Sequence, residues 1–202
     1  MIVRVDGRDW GRTADSSSDR TAELEGGAVI MLPELRFEVH QDEQAYFSPA
    51  IASAKNVSLD PLTRRLGGAA TSSAGLAVML QRFSDAAASL AEALFPSYRG
   101  RLQRARASFR PAEIAGRTTT WRHDDTRLHI DSFPATPVQG RRILRVFTNV
   151  NPEGRHRSWR VGEPFDAIAE RFDDRLRLPL PFSGERSGSI IEVTGSKNVC
   201  SS

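Results

Sequence analysis

Cysteine, lysine and long apolar runs are scarce in this chain of 202 residues, and each scarcity excludes a class of protein. The only cysteine is Cys200, which excludes a disulfide framework and a zinc site built on cysteines. The longest uncharged stretch, 66–81, is too short and too rich in glycine and serine to span a membrane. The first residues alternate in charge and lack the apolar segment of a secretory signal, so we expect a cytoplasmic protein.

Arginine supplies all but two of the 28 basic residues, and its distribution along the chain is uneven. The net charge is −4 over residues 1–95, +9 over 96–160 and −2 over 161–202, which together make the formal +3. Arginine forms bidentate pairs with phosphate and carboxylate groups, so the central block indicates an anionic partner. The alternative is that these arginines only cover solvated surfaces.

The N-terminal half predicts a long helix between less regular segments. Residues 1–26 are polar and serine-rich and are interpreted as a loose N-terminal extension, followed by an apolar strand at 28–32. Residues 48–75 have no clear period and predict a loop or lid. Over 74–95, apolar residues recur every three or four positions, and a serine before them and Pro96 after them delimit a helix.

The remaining predicted elements begin with a basic segment. Residues 97–107 carry four arginines and are predicted to form an amphipathic helix, which would suit either an anionic membrane surface or plain solvent. Further along, β-branched and aromatic residues predict strands at 118–121, 127–133 and 143–150, and the apolar spacing predicts a helix at 164–176.

The strand at 127–133 carries the residues with the most informative chemistry. Alternate side chains of a strand share a face, so Arg127, His129 and Asp131 lie together while the apolar residues between them face the core. An imidazole and a carboxylate on one face can provide two of the three ligands of a non-haem iron facial triad. A structural histidine is the alternative, and a second His-x-Asp triplet at His123 is interpreted as an exposed turn.

Several longer motifs surround this strand. They are 108–114 (SFRPAEI), 120–134 (TWRHDDTRLHIDSFP), 140–152 (GRRILRVFTNVNP) and 159–165 (WRVGEPF), with 32–37 (LPELRF) and 55–60 (KNVSLD) upstream. In these motifs the chain resembles the Kdo 3-hydroxylases, which are Fe(II)- and 2-oxoglutarate-dependent dioxygenases of Gram-negative bacteria. The resemblance covers roughly residues 24–180.

The resemblance implies a fold and a division of the chain. The fold is mainly β with flanking helices, a double-stranded β-helix (jelly roll) with the helix 74–95 packed outside it. A dioxygenase-like domain would occupy residues 27–182, with an N-terminal helical part at 27–110 and the jelly-roll part at 111–182. The tail, 183–202, is rich in serine and glycine and differs from the family's continuation, so we expect a truncated or frameshifted chain and an incomplete jelly roll.

The resemblance also implies an activity, which is hydroxylation of carbon 3 of 3-deoxy-octulosonic acid (Kdo) in the lipid A inner core to give Ko. His129 and Asp131 would hold Fe(II), with 2-oxoglutarate and dioxygen as co-substrates. The implied partner is a Kdo-lipid A glycolipid, met by peripheral contact at the cytoplasmic face of the inner membrane, and no nucleic acid is expected.

Three further residues are candidates for binding the keto acid or the sugar carboxylate. Arg127 shares the predicted metal face. Arg145 and Asn149 share one face of the strand 143–150 with Phe147, because the three are spaced two residues apart. The alternative for each arginine is a surface or structural ion pair.

The third iron ligand is not evident. After Asp131 the only histidine is His156, which lies in a polar stretch interpreted as an exposed turn. Two other classes therefore stay open: a cupin-like metal-binding domain that uses the same strand without a keto acid, and a nonenzymatic binder of anionic surfaces that uses the arginines alone.

Overall fold

A five-stranded sheet with one long helix across one of its faces is the central feature of the computed structural model. The structure describes residues 1–12, 19–111, 138–156, 161–163, 165–176 and 189–195. The helices are α1 (Thr21–Glu25), α2 (Ala74–Leu94) and α3 (Phe165–Leu176). The strands are β1 (Ile2–Arg4), β2 (Val29–Met31), β3 (Val57–Leu59), β4 (Leu66–Gly67), β5 (Leu102–Phe109), β6 (Arg142–Thr148) and β7 (Ser189–Gly195). Short 3₁₀ helices lie at Gln41–Phe47, Pro49–Ile51 and Pro96–Tyr98.

The strands form two sheets of different size. The large sheet has the order β4-β3-β5-β7-β6, in which β3 is antiparallel to β4 and β5, while β7 runs parallel to both β5 and β6. The small sheet is the parallel pair β1-β2. The predicted class, mainly β with flanking helices, is confirmed. The predicted strands at 28–32 and 143–150 correspond to β2 and β6, and the helix at 164–176 corresponds to α3.

Helix α2 forms where the apolar period predicts it. The Ser73 side chain caps its first turn by accepting the Leu76 backbone N–H at 3.2 Å, and Pro96 follows its end. Its buried stripe includes Leu80 at 2% exposure and Phe83 at 3%. This stripe packs on the sheet and forms the core with apolar residues of β3 and β5, namely Val57, Leu59, Ala107 and Phe109.

The interpretation of residues 1–26 as a loose extension is wrong for the residues that the structure describes. β1 pairs with β2, and Val5 is only 3% exposed. Trp10 packs edge-on against Phe83 of α2, with ring centroids 5.8 Å apart. Valines and a tryptophan spaced among charged residues supply enough apolar area to hold this segment on the body, although its average composition is polar.

The predicted helix at 97–107 is also wrong, because most of this segment belongs to β5, the longest of the described strands. Gly100 adopts a φ of +70° just before β5, a conformation that breaks a right-handed helix. From there β5 pairs with β3 on one side and β7 on the other, and these pairings satisfy its backbone. Pairing thus outweighs the good helix propensity of arginine and alanine.

Two segments that predict no regular structure contain strands. The stretch 48–75 holds β3 and β4, joined by a tight turn, and the tail 183–202 holds β7. The predicted strands at 118–121 and 127–133 lie outside the described residues. The domain boundaries stay predictions.

Candidate functional site

The two faces of β6 differ in chemistry, because neighbouring residues of a strand point to opposite sides. Leu144 and Val146 belong to the core that α2 covers. Arg145 and Phe147 alternate with them and share one face, as the sequence predicts, and this face is turned away from α2. Asn149 follows just beyond the end of the strand.

This second face continues across the neighbouring strands. Phe147 of β6 is the register partner of Thr194 on β7, which in turn is the partner of Ser108 on β5. Ser108 is only 8% exposed although it does not belong to the core beneath α2. Arg145, half-buried, lies further along the same face, opposite Glu192 in the register. A half-buried guanidinium in this position is suited to binding a carboxylate.

The side chain of Asn149 is committed to the turn that follows β6. Its Oδ1 accepts the Asn151 backbone N–H at 3.0 Å, and its Nδ2 donates to the Arg155 carbonyl at 3.2 Å. These two bonds close the predicted turn at 151–154, where the Gly154 N–H also donates to the Asn151 carbonyl. The structure therefore shows Asn149 shaping the loop, and the predicted contact with a co-substrate stays untested.

An arginine that sequence reasoning did not select lies at the end of β5. The Nε of Arg110 donates to Oδ1 of Asn56 at 2.8 Å, across the antiparallel β3–β5 pair. Phe109 and Val57 beside them are core residues, so Arg110 and Asn56 share the second face of the sheet. Both lie within motifs of the resemblance, which was the signal that could have found them.

Pro111, which follows Arg110, is fully buried. The burial of Pro111 and the hydrogen bond from Arg110 to Asn56 together fix the chain at residues 110–111. Arg127, His129 and Asp131 follow later in the sequence. These three predicted site residues themselves lie outside the described residues, so the structure does not test whether they come together.

Within the described ranges, no group of three or more histidine, cysteine, aspartate or glutamate side chains is placed to hold a metal ion. His156 is exposed beyond β6, as its polar neighbours predict.

Among the described residues, the cavity on the face of the sheet beneath α2 is too small for a substrate. Its volume is about 10 Å³, which is the volume needed by one water molecule. Its lining is almost wholly apolar: Phe37, Val39, Phe47, Met79, Leu80, Phe83, Phe109, Thr148 and Val150. The half-buried Arg145 and the buried Ser108 lie instead on the second face of the sheet.

Two carboxylates, Asp60 and Asp85, lie beside arginines near the β3–β4 turn. Hydrogen bonding from the Thr63 backbone N–H, with help from the charge of Arg106, lowers the pKa of Asp60. For Asp85 on α2, partial burial raises the pKa, but hydrogen bonds from Gln81 and Arg104 outweigh it, so the net shift is downward. Both groups are therefore ionised at neutral pH and offset part of the local positive charge.

Comparison with solved structures finds relatives of a single kind. The chain is similar to the apo structure of the Kdo hydroxylase KdoO, a non-heme Fe(II) alphaketoglutarate dependent dioxygenase, with a TM-score of 0.73 and 35% identity. Structures of KdoO with alphaketoglutarate and Fe(III), and with cobalt(II), each match with a TM-score of 0.72 and 34% identity. These matches cover 89% of this chain and 62%, 62% and 63% of the relative, respectively.

The family follows from the sequence as well. The family model for 3-deoxy-D-manno-oct-2-ulosonic acid (Kdo) hydroxylase matches residues 8–199, so the chain belongs to the Kdo hydroxylase family. The match extends beyond residues 24–180, over which the motifs carry the resemblance, and includes most of the serine- and glycine-rich tail, 183–202. No curated protein matches the chain. The chain spans less than two thirds of the length of its solved relatives.

Proposed function

We propose that this chain carries the Fe(II)- and 2-oxoglutarate-dependent dioxygenase activity of its family, hydroxylating carbon 3 of Kdo to give Ko. The observation that carries the proposal is the family match over residues 8–199, because that range includes His129-Ile130-Asp131. A relative 34% identical binds iron and alphaketoglutarate, which are the groups that such a strand suits.

We further propose that the five-stranded sheet contributes to one layer of a double-stranded β-helix. The antiparallel pairs β4–β3 and β3–β5 have jelly-roll pairing, whereas the two parallel pairs of β7 depart from it. The core face of the sheet is filled by α2, and its second face carries the half-buried Arg145 and the nearly buried Ser108. In a jelly roll the reactants lie between two sheets, so the second face is where the strand of His129 would stand.

The donor set fits iron. A neutral imidazole at His129 and a carboxylate at Asp131 are two members of the facial triad, and two residues apart on a strand they point to one side. Iron bound there, with a keto acid and dioxygen, would supply the oxidising power for hydroxylation. The chain's own contribution is to hold and orient the reactants, and we assign Arg127 and Arg145 to their carboxylates.

The proposal is tested by titrating the purified chain with Fe(II) under anaerobic conditions, with and without 2-oxoglutarate. We expect a saturable metal-to-ligand charge-transfer band that needs both components. His129→Ala should abolish it, whereas His123→Ala, in the other His-x-Asp triplet, should leave it unchanged. Incubation with Kdo-lipid A in air should then add one oxygen atom to the sugar, detected by mass spectrometry, in the wild type and in His123→Ala only.

Two outcomes would overturn the assignment. A folded chain that binds Fe(II) without a spectral response to 2-oxoglutarate would be a cupin-like metal-binding domain. A folded chain that shows no binding of Fe(II) would be a nonenzymatic binder of anionic surfaces. If His156→Ala also removes the band, the exposed histidine beyond β6 is the third ligand.

The proposed acceptor is Kdo attached to lipid A, reached by peripheral contact at the cytoplasmic face of the inner membrane. Such a glycolipid is rich in phosphate and carboxylate groups, which the +9 block of residues 96–160 complements. Among the helices that the structure describes, none is long and apolar enough to cross a bilayer.

A further inference from the structure

The turn between β3 and β4 carries a highly exposed apolar side chain. Leu62 is 90% exposed, more than any other large hydrophobic residue in the described part of the chain. The residues that follow it, Thr63, Arg64 and Arg65, are exposed as well. Burying this side chain in a partner that accepts apolar surface would be favourable.

The exposure does not come from a loose loop, because Asp60 holds the turn in one conformation. Its Oδ1 accepts the backbone N–H groups of Leu62 at 3.0 Å and Thr63 at 2.9 Å. The Asp60 backbone closes the turn by donating to the Arg65 carbonyl at 3.1 Å and accepting from Arg64 N–H at 3.0 Å. Leu62 is therefore presented at a rigid tip.

Four arginines surround this tip. Arg64 and Arg65 follow Leu62 in sequence, and Arg106 of β5 approaches Asp60 at the base of the turn. Arg104 of β5 pairs with Asp85, which the charge of Arg64 also influences. Arg106 Nε lies 3.6 Å from Asp60 Oδ2. These five residues, Leu62 and the four arginines, are called the tip surface below.

The tip surface keeps a net positive charge. Asp85 on α2 pairs with Arg104 of β5 and lies within the electrostatic influence of Arg64 in the turn. Asp60 and Asp85 are the carboxylates whose contacts with these arginines the structure describes, so the balance is about two positive charges. An anionic partner would therefore be attracted.

Arg64 occupies a backbone conformation that favours glycine, with a φ of +59°. Only one other non-glycine residue in the described ranges has a positive φ. An arginine in this position keeps a cation beside the tip at a conformational cost.

We propose that the tip surface docks on an anionic phospholipid bilayer, with Leu62 inserted at the boundary of the acyl chains and the arginines on the headgroup phosphates. Apolar side chains and arginines in this combination are what interfacial binding uses. A soluble polyanion would engage the arginines but gain nothing from Leu62, so the apolar tip favours a bilayer. The inference gives the membrane contact of the proposed function a definite structural element and does not depend on iron.

The test is co-flotation of the full chain with vesicles of phosphatidylcholine alone or mixed with phosphatidylglycerol, at low and at high salt. We expect binding to the anionic vesicles that weakens as salt rises. Leu62→Ser should weaken it about tenfold, and Arg65→Ala about fivefold. Arg64→Gly should weaken binding while raising resistance to urea, since glycine relaxes the turn.

Matched controls use residues away from the turn. Val29→Ser changes an apolar residue that is 45% exposed on β2, and Arg8→Ala removes an arginine that is 83% exposed, and neither should alter flotation. The proposal is overturned if Leu62→Ser floats like the wild type, if loss occurs only with the arginine variants (a polyanion site), or if the folded wild type binds neither vesicle. Iron binding measured on the same variants separates this failure from failure of the proposed dioxygenase.

Discussion

Gly68 and Asn56 show how one small residue permits a close approach at the edge of the candidate site. Gly68 has a φ of +73°, and a Cβ built on it would lie 2.3 Å from the Asn56 carbonyl oxygen. Asn56 is the residue whose side chain accepts the hydrogen bond from Arg110. The glycine thus lets the backbone at residue 68 pack closely against the Asn56 carbonyl. The side-chain amide of Asn56 meanwhile binds Arg110 at the end of β5.

We expect Gly68→Ala to lower the free energy of unfolding by about 3 kcal/mol, because it adds a backbone clash to an unfavourable φ. The matched control is Gly27→Ala, where φ is +83° and a Cβ would meet nothing within 4 Å. That variant should lose only about 1 kcal/mol. Urea unfolding measures both, and equal losses would mean that the approach to Asn56 is not constrained.

At the scale of elements, α2 organises the core through one aromatic side chain in particular. The Phe83 ring meets Phe37 at 5.3 Å and Trp10 at 5.8 Å between centroids, both edge-on. Arg82 beside it sits over the Phe37 ring at 4.6 Å and pairs with the buried Glu43. The helix thereby joins the N-terminal segment and the first 3₁₀ helix to the sheet.

Phe83→Ala should destabilise the chain by about 4 kcal/mol, since it opens a cavity and removes two aromatic contacts. Val78→Ala on the same helix is 63% exposed and should change stability by no more than about 0.5 kcal/mol. Thermal or urea unfolding followed by circular dichroism distinguishes the two. A small effect at Phe83 would show that the core repacks around the vacancy.

At the scale of the whole molecule, the N-terminal segment is tied to the body by polar contacts as well as by Trp10. Asp19 accepts hydrogen bonds from the Ser97 and Thr21 hydroxyls, and the first of these joins the start of α1 to the 3₁₀ helix at 96–98. These bonds, with the Ser97 contribution largest, lower the pKa of Asp19 from 3.8 to about 2. Burial and the negative charge of Asp19 raise the pKa of Tyr98 nearby.

A carboxyl group whose pKa is lower in the folded state than in the unfolded state stabilises the fold at pH values above its unfolded-state pKa. This stabilisation is lost as the pH falls through the folded-state pKa. Asp19 therefore contributes stability above about pH 4 that is lost between pH 4 and 2. Asp19→Asn should be less stable than the wild type in urea at pH 6, and the difference should shrink at pH 3. Ser97→Ala should behave in the same way, and a difference that does not vary with pH would contradict the assigned contact.

Some features of the candidate site follow from local sequence, and others depend on the tertiary structure. The alternation of Arg145 and Phe147 onto one face was predictable, because a strand's period is two residues whatever lies around it. The two hydrogen bonds of Asn149 were not predictable, because they depend on how the following turn closes. The bond between Arg110 and Asn56 joins residues 54 positions apart, which no local pattern reports. His129, Asp131 and Arg127 stay predictions from the sequence and the family.

The sequence alone determined the features that depend on local periodicity or on long motifs: helix α2, strand β6, the exposed position of His156 and membership of the Kdo hydroxylase family. Tertiary structure decided the rest. It made 102–109 a strand in spite of helix-forming residues, because backbone pairing with β3 and β7 outweighs propensity. It also bound residues 1–12 to the body and placed Leu62 among arginines of another strand, since burial and charge at a surface depend on what the fold brings together.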